Sequence, residues 1–234
     1  MVLLERFPSG LEERPADDGV ELAVYTDGAG EAELRGVFPD ASSGAVEAGW
    51  QDRWKEFHQP VRAGGLWIGP PWIAPPPDEA AVVVDPGRAF GTGAHPTTRA
   101  CIEALARLDR GSVLDAGCGS GVASVAAARL GFAPVLAVDS DEVAVAVAAE
   151  TARRNDVAID VLQADVLRDE LPSVDVVVAN IELAVVERLL GRVPAAVAVT
   201  SGYFVAHAPR RAGWKRVDRI EIEGWAADVL VARH

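Results

Sequence analysis

The sequence predicts an α/β protein in which a mostly parallel sheet, covered by helices on both faces, follows a small α+β domain. From Ala80 onward, apolar segments of strand length alternate with segments of helical periodicity, which is typical of strand–helix units. The last two apolar segments, 216–222 and 226–231, are separated by Glu223-Gly224-Trp225 and predict a closing antiparallel hairpin. Six further strands are expected near 80–84, 112–116, 134–138, 158–162, 174–179 and 196–205. Helices are expected near 96–108, 121–130, 141–154 and 182–191.

The composition divides the chain into three regions, 1–57, 58–78 and 79–234. Residues 58–78 contain six prolines and predict an extended, stiff linker, because proline fixes φ and lacks an N–H donor. Within it, Trp67 and Trp72 are expected to pack into the core of the following domain. The last region contains the sheet.

Residues 1–57 predict a small, acidic α+β domain. They carry 13 acidic and 5 basic residues. Residues 20–25 alternate as a strand does, and 30–38 predict a short helix that ends before a proline. A second helix is expected over 46–57, where Trp50 and Trp54 would share one face.

The net charge of −13 argues against nucleic acid as a direct partner, because phosphate binding depends on clustered lysine and arginine. No stretch approaches the roughly 20 apolar residues of a membrane span, and the N-terminal residues are not expected to form a signal peptide. The two cysteines, Cys101 and Cys118, have neither metal-type spacing nor the number that a disulfide framework needs. We therefore expect a cytoplasmic, metal-free monomer.

A glycine-rich turn, Gly117-Cys118-Gly119-Ser120-Gly121, follows the apolar strand that ends at Asp115 and Ala116. Glycines at every second position let the backbone approach a ligand closely, and a helix N-terminus behind them offers free N–H groups. The spacing differs from the G-x-G-x-x-G of dinucleotide-binding turns, which disfavours a pyrophosphate. Cys118 is expected to be a small residue that fills a tight turn, rather than a nucleophile.

Acidic residues end the next two strands. Asp139 closes the apolar segment 135–139, where a carboxylate can accept both hydroxyls of a ribose. Asp165 follows the third strand and could reach an adenine amine, although a helix cap explains it equally well. A later strand ends on the amide of Asn180, for which turn capping is the alternative role.

In order and spacing, these features resemble the S-adenosylmethionine-dependent methyltransferases with a seven-stranded, Rossmann-like sheet. The resemblance covers residues 80–234 and implies S-adenosylmethionine as the cofactor. The antiparallel last strand of that class also agrees with the closing hairpin.

Further segments resemble one family in particular, the PrmA type, which methylates the large-subunit ribosomal protein numbered eleven. The resemblance is carried by Asp85 to Thr98, Phe57 to Pro60, Leu66 to Trp72 and the triplet Ala179-Asn180-Ile181. It implies a protein-lysine N-methyltransferase whose partner is a ribosomal protein, free or on the ribosome. By this resemblance Thr98, Gly117, Asp139 and Asn180 occupy the cofactor-contact positions of the family, and Phe90 belongs to a loop over the cofactor and the target nitrogen. Gly119, in the glycine turn, and Asp165, after the third strand, are expected to bind the cofactor as well.

Two departures from the family pattern concern the substrate. The family has a strand and a helix before the segment that matches Leu3 to Glu13, so the N-terminal domain is expected to be truncated, or the start codon placed too late. That domain recognises the ribosomal protein in the family. Glu182 replaces a common apolar residue near the expected target, where a carboxylate favours a cationic amine or points to solvent.

The implied chemistry is displacement at a sulfonium methyl by an amine, for which alignment and dehydration are the protein's tasks. We expect Asn180 to be the catalytic residue, holding a neutral amine through its side-chain oxygen. His95 is a candidate base, but pocket shaping is its expected role. Alternatives are the same reaction on another protein lysine or a small amine, or a cofactor-binding docking module without activity. An NAD-dependent enzyme is disfavoured by the glycine spacing.

Overall fold

The computed structural model divides the chain into two compact units, Met1–Asp52 and Arg53–His234. The residues that the structure describes are 12–16, 19–23, 28–43, 58–86 and 93–233. None of the helices in these ranges has the length and apolar character that a membrane span needs.

The first unit contains an antiparallel pair, β1 (Glu12–Ala16) and β2 (Gly19–Ala23), followed by helix α1 (Gly28–Val37). In α1, Arg35 Nε lies 3.2 Å from Glu31 Oε1, an i,i+4 pair with the acid nearer the N-terminus, as the helix dipole favours. The predicted strand near 20–25 and the helix near 30–38 are therefore confirmed. The helix predicted over 46–57 lies outside the described residues.

The second unit begins with a three-stranded sheet of β3 (Val61–Ala63), β4 (Leu66–Gly69) and β5 (Ala81–Val83). β3 and β4 form an antiparallel hairpin, and β5 pairs with β4 in parallel. The predicted strand near 80–84 is thus present, but it belongs to this separate sheet.

Within the segment 58–78, which the sequence predicts as an extended linker, the structure has the β3–β4 hairpin, which was not predicted. Gly64 and Gly65 both have positive φ, which a two-residue hairpin turn of this twist requires. Trp67 is 4% exposed and, as expected, lies in the core with its neighbours in β4. Burial of this apolar segment outweighs the local preference of the surrounding prolines. The three-region division of the chain stays a prediction.

The main sheet has seven strands. In chain order they are β6 (Val113–Ala116), β7 (Val135–Asp139), β8 (Asp160–Gln163), β9 (Val174–Asn180), β10 (Ala195–Phe204), β11 (Trp214–Ile222) and β12 (Trp225–Ala232). Their spatial order is β11-β12-β10-β9-β6-β7-β8. β12 is antiparallel to both neighbours, whereas the pairs from β10 to β8 are parallel. The predicted mostly parallel sheet and closing hairpin are confirmed.

The closing hairpin is made by a two-residue turn, Glu223 and Gly224, with φ values of 49° and 82°. Ile222 pairs with Trp225 across it. Positive φ at both turn residues matches the right-handed twist of the strands on either side. The turn therefore fixes the register that brings Trp225 to the end of the sheet.

Helices cover both faces of the sheet. They are α2 (Pro96–Ala106), α3 (Val122–Arg129), α4 (Glu142–Arg154) and α5 (Leu183–Leu189). Alternate residues of β9 point to opposite faces. Val176 and Val178 pack in the cluster that contains residues of α2 and α3, and Val177 packs in the one that contains residues of α5.

Because β6, β7, β8 and β9 are parallel, the loops that follow them meet at one edge of the sheet. This is the edge where ligands bind in open α/β sheets.

Candidate functional site

The glycine turn after β6 is tied to the end of the neighbouring strand. The N–H groups of Gly117 and Cys118 both donate to the carbonyl oxygen of Val138, at 2.9 and 3.0 Å. Gly117 has a φ of 77°, and an added Cβ would lie 2.6 Å from Ile181 Cγ2. Glycine is therefore required here both by the backbone conformation and by the close approach of Ile181.

Asp139 ends β7, and the backbone orients its carboxylate. Gly119 N donates to Oδ2 at 2.9 Å, and Asp141 N donates to Oδ1 at 3.0 Å. Each carboxylate oxygen can accept a further hydrogen bond, so Asp139 can still accept from two donors of a ligand. The same bond to Gly119 holds the glycine turn against β7.

Asp165 follows β8, and its carboxylate has partners within the chain. Its Oδ1 accepts the N–H of Leu167 at 2.8 Å, which caps a turn. Its Oδ2 lies 3.4 Å from Nε of the exposed Arg168. Asp165 also lines the cavity described below, so capping and ligand contact do not exclude each other.

Asn180 ends β9, and its side-chain amide donates to Thr98 Oγ1 at 3.3 Å. Thr98 is 2% exposed and lies in the first turn of α2, which Pro96 begins. One N–H of the amide is engaged by Thr98, so Oδ1 and the second N–H are the groups that Asn180 can offer to a ligand. No donor to Oδ1 is found among the described residues.

These loops surround one cavity of about 820 Å³. Of the residues predicted from the sequence, the structure brings five to its wall: Gly117, Gly119, Asp139, Asp165 and Asn180. Thr98 lies behind Asn180 and reaches the cavity through it. Phe90 falls outside the described residues.

Trp225, which was not predicted, forms an aromatic part of the cavity wall with His95, for which pocket shaping was expected. His95 and Trp225 both line the cavity and meet edge to face with ring centroids 5.0 Å apart. Phe204 stacks on Trp225 at 4.2 Å. The sequence does place Trp225 beside the hairpin turn, but only the antiparallel pairing of β12 with β10 brings it to the site.

His95 is the N-cap of α2. Its Nδ1 accepts the N–H of Thr97 at 3.3 Å and lies 2.7 Å from the Thr97 hydroxyl. Burial lowers the pKa of His95 below its ordinary value, so the neutral ring is favoured. With Nδ1 accepting from the backbone, the proton of the neutral ring sits on Nε2.

Glu182 is an exposed carboxylate at the cavity wall. It occupies the N-cap position of α5, yet its side chain makes no capping hydrogen bond. Within the described ranges it forms no ion pair either. Its charge therefore acts on the cavity without being neutralised by a neighbour.

Gly202 holds the segment after Asn180 in place. It lies at a bulge in β10, where the register with β12 shifts, and has a φ of 102°. A Cβ there would overlap the carbonyl oxygen of Ile181 and lie 2.7 Å from its carbonyl carbon. Gly117 and Gly202 thus leave room for Ile181 between them.

Burial raises the pKa of two groups beneath the turn. Burial raises the pKa of Asp115 to about 6, partly opposed by the hydroxyl of Ser124, which donates to Oδ2 at 2.5 Å. Burial also raises the pKa of the Cys118 thiol. A buried, protonated thiol is inert, in agreement with the space-filling role expected for Cys118. Where side chains are described, no three His, Cys, Asp or Glu residues converge as metal ligands do.

Residues 35–227 match the profile of the family described as ribosomal protein L11 methyltransferase (PrmA). A ribosomal protein L11 methyltransferase of Exiguobacterium sibiricum is 38% identical over 200 residues, which are 77% of this chain and 63% of that protein. One from Caldicellulosiruptor saccharolyticus is 40% identical over 147 residues, 61% of this chain and 49% of that protein.

A crystal structure of a ribosomal protein L11 methylase from Lactobacillus delbrueckii subsp. bulgaricus has the same fold. It superposes with a TM-score of 0.65 at 25% identity, and the match covers 76% of this chain and 100% of that one. The chain spans between about half and two thirds of the length of these curated relatives.

Proposed function

The chain belongs to the ribosomal protein L11 methyltransferase family, and from that premise we propose that it is a cytoplasmic enzyme that methylates amino groups of ribosomal protein L11. The methyl donor is S-adenosylmethionine. The observation that carries the proposal is that the glycine turn, Asp139 and Asn180 line one cavity at the carboxyl edge of the sheet. The first two suit the donor, and the third suits the acceptor.

The residues at the cavity fit the donor. The cavity volume of about 820 Å³ lies within the usual range for small-molecule sites. Asp139 has acceptor capacity for two ribose hydroxyls, one on each oxygen. Ala164, Val166 and Leu167 supply apolar surface for a purine beside Asp165, whose carboxylate can accept from an exocyclic amine.

When bound, the cofactor supplies an electrophilic methyl group on a sulfonium, and the tasks left to the chain are to orient the acceptor amine and exclude water. Asn180 Oδ1 accepts an N–H of the amine and so directs the nitrogen lone pair. Thr98 holds the amide in that orientation, because its hydroxyl accepts from the amide nitrogen.

The acceptor amine must be neutral to attack. A lysine with an ordinary pKa of about 10.4 is mostly protonated at neutral pH. The apolar lining, which includes Ile181 and Val185, disfavours the charged form. Glu182, at the exposed wall, attracts the cationic form first, and the amine loses its proton to solvent as it enters. His95 provides no base, because Nδ1 is engaged by Thr97 and Nε2 carries the proton.

Mass spectrometry of ribosomal protein L11, incubated with the purified chain and S-adenosylmethionine, tests the proposal. We expect mass additions of roughly 14 Da each, one per methyl group. The Asn180→Ala variant is the matched control and should give far less product. Binding of the cofactor without methylation of L11 would overturn the proposal. Methylation of other lysine peptides would then indicate a different substrate, and no methylation at all a docking module.

A further inference from the structure

A second concave surface, which we name the basic groove, lies between α5, the loop after β10 and strand β11. It encloses about 380 Å³. Its apolar floor is formed by Leu183 and Val205 with neighbouring alanines, and three arginines, Arg210, Arg216 and Arg219, stand around it. Three guanidinium groups at one groove stand out on a chain whose net charge is −13.

All three guanidinium nitrogens of Arg219 donate hydrogen bonds within the fold. Its Nε and Nη2 donate to the two oxygens of Asp228 at 2.7 and 2.8 Å. Its Nη1 and Nη2 also donate to the carbonyl oxygens of Val205 and His207. Asp228 is fully buried, so this bidentate pair neutralises it and ties down the loop that borders the groove.

The side-chain charges of Arg216 and Arg210 are not neutralised by close ion pairs of their own within the described residues. Arg216 Nη1 lies 3.5 Å from Asp228, a long contact to a carboxylate that Arg219 already neutralises, and its side chain is 48% exposed. The backbone N–H of Arg210 donates to Glu187 Oε1 at 2.8 Å. Within the described part of the chain, the Arg210 guanidinium forms no ion pair. Two arginine side chains can therefore bind an external anion.

Residues that line the basic groove are next in sequence to residues at the cavity described above. Glu182 lines the cavity, and the next residue, Leu183, lines the groove. On the other side, Trp225 lines the cavity and stacks on Phe204, whose neighbour Val205 lines the groove. Phe204 is 53% exposed and Val205 is 38% exposed, so both offer apolar surface to a bound segment.

We propose that the basic groove binds the segment of the protein substrate that flanks the methylated amine. A carboxylate side chain of that segment pairs with Arg210 and Arg216, and an apolar side chain packs on Phe204 and Val205. This inference rests on the proposed function, since it assumes a protein acceptor. Arginine suits the site because its guanidinium binds carboxylates in a bidentate manner and, like aromatic residues, is enriched at protein interfaces.

A peptide explains the groove better than a nucleic acid does. Phosphate backbones are bound by an array of cations that follows the chain of phosphates. Among the residues that line the groove, only two arginines are not neutralised within the fold, and the carboxylate of Glu187 lines the same groove. That carboxylate would repel successive phosphates, whereas a peptide needs only one anionic side chain.

The test measures binding and turnover separately. Fluorescently labelled peptides with a central lysine, each carrying either a glutamate or a glutamine at a neighbouring position, are titrated with the full chain and followed by anisotropy. The wild type should prefer a glutamate peptide, and Arg210→Glu should lose this preference. With ribosomal protein L11, Arg210→Glu should raise KM about tenfold or more while kcat and the Kd of S-adenosylmethionine stay unchanged.

Two further variants separate the groove from general effects of charge. Lys215→Glu makes the same charge change on β11, where successive side chains point to opposite faces of the strand, so it should leave KM unchanged. Arg216→Gln should raise KM with a smaller effect than charge reversal. Because Arg210 makes no side-chain bond to the described residues, its variant should fold normally, and an unchanged cofactor Kd verifies this.

The outcomes also separate this inference from the proposed function. If the wild type methylates L11 but Arg210→Glu keeps the wild-type KM and peptide preference, the groove proposal alone is overturned. A wild type that prefers glutamate peptides through Arg210 but methylates nothing would overturn the proposed function alone. An equal rise of KM in Lys215→Glu would also overturn the groove proposal. So would binding of a single-stranded RNA 20-mer that Arg210→Glu abolishes while the peptide preference stays the same.

Discussion

The side-chain amide of Asn180, at the end of β9, donates a hydrogen bond to the hydroxyl of Thr98 in the first turn of α2, 3.3 Å away. Thr98 is buried, so its hydroxyl is held by the core and fixes the amide in turn. This pair makes the orientation of Asn180 Oδ1 depend on a helix that is remote in sequence.

Removing either partner should slow turnover by different amounts. We expect Asn180→Ala to reduce kcat about 100-fold, the usual cost of losing one preorganised polar contact at a reacting centre. Thr98→Val should cost about tenfold, because the amide can then rotate, and Thr98→Ser should restore most of the rate. Steady-state kinetics with L11 measures this. Near-normal turnover in a well-folded Asn180→Ala would leave Asn180 with a capping role only.

Asp139 should determine cofactor affinity. Asp139→Ala removes an ionised acceptor from the cavity, which costs about 1.5–3 kcal/mol per hydrogen bond and lowers affinity at least tenfold. Asp139→Asn should have a smaller effect because it keeps one acceptor oxygen. Calorimetry with S-adenosylmethionine gives the Kd. Asp160→Asn, at the opposite end of β8, is the matched control, and an Asp139→Ala Kd equal to it would rule out the ribose assignment.

Glu182 should affect the acceptor and not the fold. Glu182→Gln removes an exposed charge at the cavity wall, so we expect KM for L11 to rise up to about fivefold, the range of one exposed ion pair. The effect should fade as salt is added. Glu170→Gln makes the same change at an exposed position and should leave KM as it is. A salt-independent change in Glu182→Gln would contradict an electrostatic role.

Gly202 should be a positioning residue for Asn180. Gly202→Ala would place a methyl group against the carbonyl of Ile181, in addition to a cost of about 1–3 kcal/mol for positive φ. Gly213→Ala is the matched control, with a φ of 87° and open space around its Cβ position. Urea unfolding should show the larger loss in Gly202→Ala, together with a fall in kcat. Equal losses in both variants would show that only φ matters.

Asp115 should make stability depend on pH. Burial raises its folded pKa to about 6 from 3.8, so the neutral form is favoured on folding. The contribution of Asp115 to the free energy of unfolding is present in full below pH 3.8 and is lost as pH rises through about 6. The free energy of unfolding differs by about 3 kcal/mol between these two pH ranges. Urea unfolding from pH 4 to 7.5 should therefore show that the stability of Asp115→Asn increases relative to that of the wild type as the pH rises. A constant difference between the two would contradict the raised pKa.

Most strands and helices of the second unit could be predicted because their periodicity is local. The sequence places β9 near 174–179 and α4 near 141–154, each within a residue or two of the bounds in the structure. The β3–β4 hairpin was missed because its strands are only three and four residues long and prolines surround them. Length and composition therefore decided which elements were predictable.

The site divides in the same way. The turn at Gly117, the acid that ends β7 and the acid that follows β8 lie at strand ends, so spacing along the chain reveals them. Trp225 and Gly202 were missed because their relation to the site exists only through the pairing of β10 with β9 and β12.

By itself, the sequence determined the local chemistry of this protein: glycines where the backbone needs positive φ, and carboxylates and an amide where parallel strands end. Only the tertiary structure decided which of these groups meet. Asn180 and Thr98 are 82 residues apart, and their contact depends on the seven-stranded order and on α2 packing over it. Proximity across the chain is set by strand order and burial of the core, and neither can be read from the residues next to a motif.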